Sequence, residues 1–351
     1  MSTPLVTINL VVLNGKKYVR HCLKAVQEQT YRNLEINIFD NGSTDGTKEI
    51  VHREFPQFNL IESTKNLGTW PGQEKAIESS RGKYIVALSV DVLMHPTAIE
   101  KAVEILEKDE KIGALQAKIY QYNISEFNQG STRHFLQKVP GRTFPKIIDT
   151  LGFQIFRSRR ITNLGHGEED HGQHDQEKEI FAVEGAAPIF RKSALEELRV
   201  LGEIADREMF WYGDDLDIGW RMHLFGWKQI YSPEVVMCHD RSTTKGMSRG
   251  WRDYLKRIND RKKIPIFKKR LDWRNKRLAR IKNDYCQNMF SDFLPIGWRE
   301  IRELGYIILF EPTVLLEIPK LIKLLPRTLK KRRAILARAQ VGPKEMARWF
   351  K

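Results

Sequence analysis

Three short apolar runs separated by stretches of helical period constrain the fold of this chain more than any other feature. Residues 5–13 (LVTINLVVL), 34–39 (LEINIF) and 84–90 (YIVALSV) are apolar segments rich in β-branched side chains. Runs of this length suit strands buried on both faces, as in a mostly parallel sheet covered by helices. Between them, residues 17–30 and 47–55 carry helical patterning, the second after the turn-forming string Asn41-Gly42-Ser43-Thr44-Asp45-Gly46. The order β-α-β-α-β predicts a doubly wound α/β sheet whose ligands bind at the carboxyl ends of the strands. Chemistry is therefore expected where strands stop.

With 351 residues, 41% of them hydrophobic, the chain can bury one large α/β core with a smaller appended unit, and disorder of the whole is excluded. Cys22, Cys238 and Cys286 lie far apart with no CxxC spacing, so neither a disulfide framework nor a zinc ribbon is expected. The first apolar run follows no basic segment and no small-residue cleavage site, and reads as a core strand rather than a signal peptide. Residues 164–180 (LGHGEEDHGQHDQEKEI) lack periodicity and read as a long loop. Helices are expected over residues 192–201 and from Asp214, and a strand over 228–231.

Charge divides the chain. Residues 241–351 hold 30 Lys and Arg against 10 Asp and Glu, whereas residues 1–240 hold 29 against 34. The composition shift places a domain boundary near residue 245, with a catalytic unit over 1–245 and a basic, partly amphipathic helical region over 246–351. Such a region is an electrostatic footprint for phosphate-rich partners, either nucleic acid or anionic lipid headgroups. Residues 304–325 are long enough to cross a bilayer, but Glu311, Pro312, Glu317, Pro319, Lys320 and Lys323 interrupt them, so interfacial helices are expected instead of a span. No RNA- or DNA-binding motif occurs, and nucleic acid is not an expected partner. The non-enzymatic alternative is nonetheless a basic nucleic-acid-binding protein.

Four strand-end or helix-start motifs carry candidate chemistry. Asp40 closes the second apolar run, where a carboxylate can accept the imide N–H of a uracil or thymine; the plainer reading is a turn that caps the next helix. Asp91, in Ser89-Val90-Asp91, closes the third, where a divalent cation shared with a diphosphate would offset the cost of a buried carboxylate. In Gly213-Asp214-Asp215-Leu216-Asp217, the first two carboxylates are candidates for general base and its neighbour, or else only caps that complement the helix dipole. Asp217 and Arg221 read as an exposed i,i+4 pair. His239, in Cys238-His239-Asp240, is either a satisfied core histidine or a metal ligand. The cluster His166, Glu168, Glu169, Asp170, His171, His174 and Asp175 matches no zinc spacing and reads as a solvated substrate loop.

Taken in order and spacing, these motifs resemble family-2 glycosyltransferases with the GT-A fold, especially the bacterial rhamnosyltransferase-like branch. The resemblance covers about residues 5–245 and is carried by Val11-Val12-Leu13-Asn14, the string from Asp40 to Thr47, Asn66-Leu67-Gly68, Ser89-Val90-Asp91, Gly185-Ala186-Ala187, Phe190-Arg191-Lys192, the GDDLDIGWR segment and His239. Ser89 stands where the family's Asp-x-Asp pattern has its first carboxylate, and Leu13 where an aromatic is usual.

The resemblance implies a donor nucleotide held by Val12, Asn14, Asp40, Asn66 and Gly68, and a donor sugar or phosphate near Val90, Gly185 and Arg191. Asp91 and His239 would bind a divalent cation, Mg²⁺ or Mn²⁺. Asp215 would be the general base, with Asp214 orienting the acceptor. The implied enzyme is an inverting hexosyltransferase that moves a sugar, rhamnose first among them, to a glycan or lipid-linked saccharide in cell-surface polysaccharide assembly. Its expected place is the cytoplasm, peripherally attached to the anionic inner face of the membrane. A dehydrogenase would instead want GxGxxG after the first strand, where only Asn14-Gly15 stands.

Overall fold

The computed structural model describes residues 3–126, 147–241 and 261–351. The expected domain boundary at residue 245 lies outside them. The first half alternates strand and helix: β1 (Val6–Val12), α1 (Val19–Gln27), β2 (Leu34–Asp40), α2 (Thr47–Glu54), β3 (Asn59–Glu62), α3 (Thr69–Glu78), β4 (Tyr84–Ser89), β5 (Val92–Met94), α4 (Ala98–Lys108) and β6 (Ile112–Gln121). Short strands follow: β7 (Ile148–Thr150), β8 (Phe153–Ile155), β9 (Ile161–Asn163), β10 (Lys178–Glu179) and β11 (Ile189–Arg191). Then come α5 (Lys192–Glu197), α6 (Asp214–Leu224) and β12 (Lys228–His239).

The sheet runs β10-β12-β6-β11-β4-β1-β2-β3, with β5 on β12 and β7 on β6. β1, β2, β3 and β4 are parallel, as are β6 and β12, whereas β11 inserts antiparallel between β4 and β6. β1 is buried along nearly its whole length, which is why its sequence is continuously apolar rather than alternating. Register aligns the functional strand ends: Val12 pairs with Asp40 and Val11 with Ser89, so both carboxyl termini open on one edge.

Helix α1 buries Val19, Cys22, Leu23 and Val26, one stripe at helical spacing, but starts two residues later than residue 17 because a turn from Gly15 to Tyr18 precedes it. The strand expected over 228–231 continues to His239. A register shift between Ser232 and Val236 lets Pro233 pass without a ladder donor. Residues 164–180 form a mainly irregular segment that is exposed but anchored: Lys118 reaches Asp170 at 2.8 Å and Asp175 at 2.5 Å, and the Tyr231 hydroxyl donates to the His174 carbonyl at 2.8 Å.

The C-terminal region contains α7 (Ile266–Asn283), α8 (Cys286–Ser291), α9 (Phe293–Phe310), a 3₁₀ turn (Pro312–Glu317), α10 (Ile318–Arg338) and α11 (Pro343–Ala347). Among the described residues no helix is long and apolar enough to cross a membrane. The apolar stretch 304–325 is divided between the end of α9, the 3₁₀ turn and the start of α10, in keeping with its interrupting Pro and charged residues.

These helices pack against the sheet domain itself. The Trp349 and Phe350 rings meet Phe181 and Trp220 at 6.3 and 5.9 Å, and α7 lies on α6. Asp217, expected in an exposed pair with Arg221, forms that pair at 3.0 Å but is fully buried. It also accepts from Lys282 at 3.0 Å and from Asn283 at 2.7 Å, both on α7. The exposure was misjudged because the face of α6 carrying Asp217 is covered by residues more than sixty positions away.

Candidate active site

A cavity of about 490 Å³ opens at the carboxyl edge of the sheet. Asn14, Asn66, Gly68 and Val90 line one side of it, and Asp91 and His239 its floor. Gly185, Asp214 and Asp215 line the side formed by the start of α6. Asn14 and His239, 225 positions apart in the chain, thus share one space.

The loops after β1 and β2 are stitched to each other. The Asn14 N–H donates to Ser43 Oγ at 2.9 Å, while Asn14 Oδ1 accepts the Thr44 N–H at 2.9 Å. Gly15 and Lys16 donate their N–H groups to Thr47 Oγ1 and Asp45 Oδ2. The polar string after β2 therefore serves the neighbouring loop as well as the start of α2. Asn14 adopts φ 51°, a left-handed conformation that Asn tolerates. Gly68 has φ 98°, and a Cβ there would lie 2.6 Å from the Phe210 carbonyl oxygen, so only glycine lets these two loops meet.

Three expected contacts are not presented to the cavity. Val12 is 1% exposed: strand alternation turns its side chain into the core, while its neighbours Val11 and Leu13 face the cavity. Asp40 is fully buried; one oxygen accepts the N–H groups of Gly42 and Ser43, and the other has no hydrogen-bond partner. Its neighbour Asn41 lines the cavity instead, its amide donating to Asn66 Oδ1 and the Gly68 carbonyl. Arg191 is corrected from a donor-phosphate contact to a structural anchor. Its guanidinium is buried and donates to the carbonyls of Leu106, Asp109 and Ile112.

Asp91 and His239 meet across the β5–β12 pairing, with Nε2 of His239 3.3 Å from Asp91 Oδ2. The other ring nitrogen, Nδ1, lies 2.9 Å from Asp149, a fully buried carboxylate that also takes Arg241 Nε at 2.9 Å. Arg241 extends to Glu184 at 2.7 Å, and both line the cavity. Burial disfavours a charged imidazole, but the hydrogen bonds to Asp149 and Asp91 outweigh it, and the His239 pKa is pushed up to about 10. Without a cation, His239 is thus the positive charge between two carboxylates.

The donor set fits a divalent cation: one carboxylate and one imidazole face the cavity, with the far imidazole nitrogen fixed by a buried carboxylate. Phosphate oxygens and water would complete the shell, since among the described residues no group of three or more His, Cys, Asp or Glu could hold a metal. That includes the His, Glu and Asp cluster of residues 166–175, none of which lines the cavity.

Asp214 and Asp215 begin α6 directly after Gly213, whose φ of 77° makes the sharp entry. Burial, then the charge of Asp214, then that of Glu184 hold the Asp215 carboxyl well above the usual range. Burial also raises Asp214, to about 6. A partly exposed carboxylate with raised basicity at a cavity wall is suited to take a proton.

Sequence reasoning missed Asp149, Arg241 and the aromatic wall Phe210-Trp211-Tyr212. Phe210 and Tyr212 hold φ values of 61° and 67°, unusual for aromatic residues. Asn275 of α7 secures them, its fully buried amide donating to the carbonyls of Met209, Trp211 and Tyr212, each at 2.8 Å. Arg241 follows His239 closely in the chain, but Asp149 lies in an aperiodic segment and carries no local signal.

Comparison with known proteins agrees with this architecture. The chain is 35% identical over 109 residues to chondroitin synthase of Escherichia coli, covering 30% of this chain and 16% of that protein. It is 25% identical over 251 residues to glycosyltransferase GlyA of Streptococcus pneumoniae, covering 70% and 32%. It is 23% identical over 229 residues to the poly-β-1,6-N-acetyl-D-glucosamine synthase of Staphylococcus epidermidis, covering 65% and 48%. The match thus spans less than half the length of each of these curated relatives. Among solved structures, the mannosyltransferase PcManGT from Pyrobaculum calidifontis in complex with GDP-Man and Mn²⁺ superposes with a TM-score of 0.51 at 17% identity, covering 98% of this chain and 88% of that one. The fold is GT-A-like, with a C-terminal helical region. Residues 7–199 match the profile of Glycosyl transferase family 2, and the chain belongs to that family.

Proposed function

We propose that this protein transfers a hexosyl group from a nucleotide diphosphate sugar to an acceptor hydroxyl with inversion at the anomeric carbon. The observation that carries the reading is the convergence of Asp91 and His239 with Asp214 and Asp215 on one cavity. Asn14, Asn41, Asn66 and Gly68 form the nucleotide side, and the carbonyls and amides of these loops give it polar contacts.

The acceptor oxygen attacks the anomeric carbon as the bond from that carbon to the diphosphate breaks, its electron pair leaving with the phosphate. Asp215 takes the acceptor's proton, and Asp214, beside it, raises its basicity through like charge. A divalent cation held by Asp91 and His239 would neutralise charge on the departing diphosphate. Asp149 and Arg241 keep the imidazole oriented.

The donor is named by a thermal-shift panel of nucleotide diphosphate sugars with Mn²⁺ or Mg²⁺, because binding to the native state raises apparent stability. Thymidine diphosphate rhamnose, from the sequence resemblance, and GDP-mannose, held by the mannosyltransferase PcManGT, are the first to test. No shift with any donor at saturating cation would end the reading.

The acceptor is proposed to be a glycan or lipid-linked saccharide met at the cytoplasmic face of a membrane. Supporting this, α8 and α9 expose Phe290 (86%), Leu294 (78%), Trp298 (63%), Ile301 (65%) and Leu309 (74%), an apolar surface flanked by Lys and Arg. The nucleic-acid alternative is weakened by ion pairing within the basic region. Arg261, Arg270, Arg274, Arg277, Lys282 and Lys331 all pair with carboxylates and do not form an unpartnered strip.

A further inference from the structure

Lys268 is an exception among the cations of α7. Lys269 pairs with Glu311 at 3.0 Å, Arg270 with Glu317 at 2.8 Å and Arg274 with Glu317 at 2.9 Å. Lys268 has no carboxylate partner among the described residues; its ammonium lies 4.6 Å from the centroid of the Trp211 ring and 5.9 Å from that of Tyr212. It is half-buried and lines the same cavity as Asp214 and Asp215. Burial lowers its pKa, which is the mark of a cation that lacks a counter-charge. An aromatic face returns only part of what an ammonium loses on leaving water, whereas an anion bound there forms a charge-assisted hydrogen bond.

The surroundings specify which anion. Outward along the same helix turn, Ile266 and Phe267 are 44% and 51% exposed, and the Phe267 ring meets Phe210 of the cavity wall at 6.4 Å. Inward, the Trp211 and Tyr212 rings lie 4.6 Å apart and lead in the chain to Asp214 and Asp215. An apolar edge, a cation with no carboxylate partner among the described residues, an aromatic platform and a carboxylate pair therefore belong to one mouth.

We propose that this mouth is an acceptor subsite for a phosphate-bearing lipid. The phosphate sits on Lys268, the acyl or prenyl chain leaves along Ile266 and Phe267, and the group to be glycosylated extends past Trp211 toward Asp215. The inference rests on the transferase reading above, and it adds the chemical class of the acceptor. A soluble glycan lacking both phosphate and tail would use neither Lys268 nor the outer edge.

The test is isothermal titration of the full chain with decyl phosphate, decyl maltoside and inorganic phosphate, each below its micelle concentration where it has one. Decyl phosphate is expected to bind the native protein, Lys268→Gln to weaken it about tenfold and Lys268→Arg to retain most of the affinity. Decyl maltoside should bind weakly and be indifferent to Lys268→Gln. Equal affinity of native protein and Lys268→Gln for decyl phosphate would overturn the proposal, as would inorganic phosphate binding as tightly as the lipid. Titration with nucleoside diphosphates and Mn²⁺ separates the two readings. Binding unchanged in Lys268→Gln supports an acceptor role, and binding lost in that variant assigns Lys268 to the donor instead. Native protein that binds decyl phosphate but no nucleotide would sink the transferase reading and leave a lipid-phosphate site.

Discussion

Asp149 holds Nδ1 of His239 at 2.9 Å from a position with no solvent exposure, which leaves Nε2 as the nitrogen that faces Asp91 and the cavity. Replacing the carboxylate with its amide keeps the shape but removes the negative charge and one of the two acceptor oxygens that His239 and Arg241 share. Asp149→Asn should lower Mn²⁺ affinity by about tenfold or more, in the range seen when carboxylates behind metal-bound histidines are removed. Electron paramagnetic resonance titration of free Mn²⁺ measures this directly. A folded variant with native Mn²⁺ affinity would remove Asp149 from the site.

On the proposed mechanism, the acidic pair governs the pH profile. A general base works only when ionised, and burial with like-charge crowding holds Asp215 above the ordinary carboxylate range and Asp214 at about 6. Transfer should therefore fall on the acid side at a pH well above that of a free aspartate, with an apparent pKa belonging to the pair. Asp214→Asn removes one negative neighbour, so the acid limb should move to lower pH. Asp215→Asn should reduce kcat by about 10²- to 10⁴-fold while sparing donor binding. A kcat/KM profile of Asp214→Asn superposable on the native one would contradict this coupling.

Lys282 sits between Asp206 at 2.6 Å and Asp217 at 3.0 Å, and both carboxylates are buried. Lys282→Met strips a partner from each, although Lys331 and Arg221 remain, and should cost about 3–5 kcal/mol in urea unfolding at neutral pH. The pKa values of Asp206 and Asp217 are depressed against the opposing effect of burial, chiefly by Lys282. Their stabilisation is therefore complete above the unfolded-state pKa, about 3.9, and lost as pH falls through the lower folded values. In the variant those values rise, so acid unfolding should begin at higher pH. A midpoint unchanged in both urea and acid would mean that these pairs contribute little.

Membrane attachment is tested by point substitution rather than truncation, because removing residues 261–351 would also remove Lys282 and Asn275 from the catalytic unit. Trp298 and Leu309 touch the proposed interface and leave the core intact, being 63% and 74% exposed. Trp298→Asp combined with Leu309→Asp should abolish co-sedimentation with phosphatidylglycerol vesicles while leaving the thermal midpoint within about 2 °C, since exposed substitutions seldom change stability by more than about 0.5 kcal/mol. Native-like sedimentation of the double variant would place the lipid contact elsewhere.

The distribution of what was legible follows from the range of each interaction. Strand and helix order came from local periodicity, and Asp91, His239, Asp214 and Asp215 could be singled out because Asp91 lies in the turn just after a strand, His239 closes one, and Asp214 and Asp215 open a helix. Their strand-end or helix-start positions are local properties. Val12 and Arg191 could not be assigned correctly in the same way. Val12 is turned inward by the pleat, and Arg191 is drawn to carbonyls of α4 and the loop before β6. Asp40 ends its strand as expected, yet its neighbour Asn41 is the residue presented to the cavity.

By itself, then, the chain of residues determined an alternating α/β framework, the edge at which its chemistry gathers and the carboxylates most suited to it. Only the tertiary structure decided which cations are neutralised, that Asp149 stands behind His239, that Asn275 secures the aromatic wall and that Lys268 has no carboxylate partner among the described residues. The physical reason is that helical and strand periods act over a few residues, whereas burial and ion pairing join groups tens to hundreds of positions apart and are set by how the helices pack on the sheet.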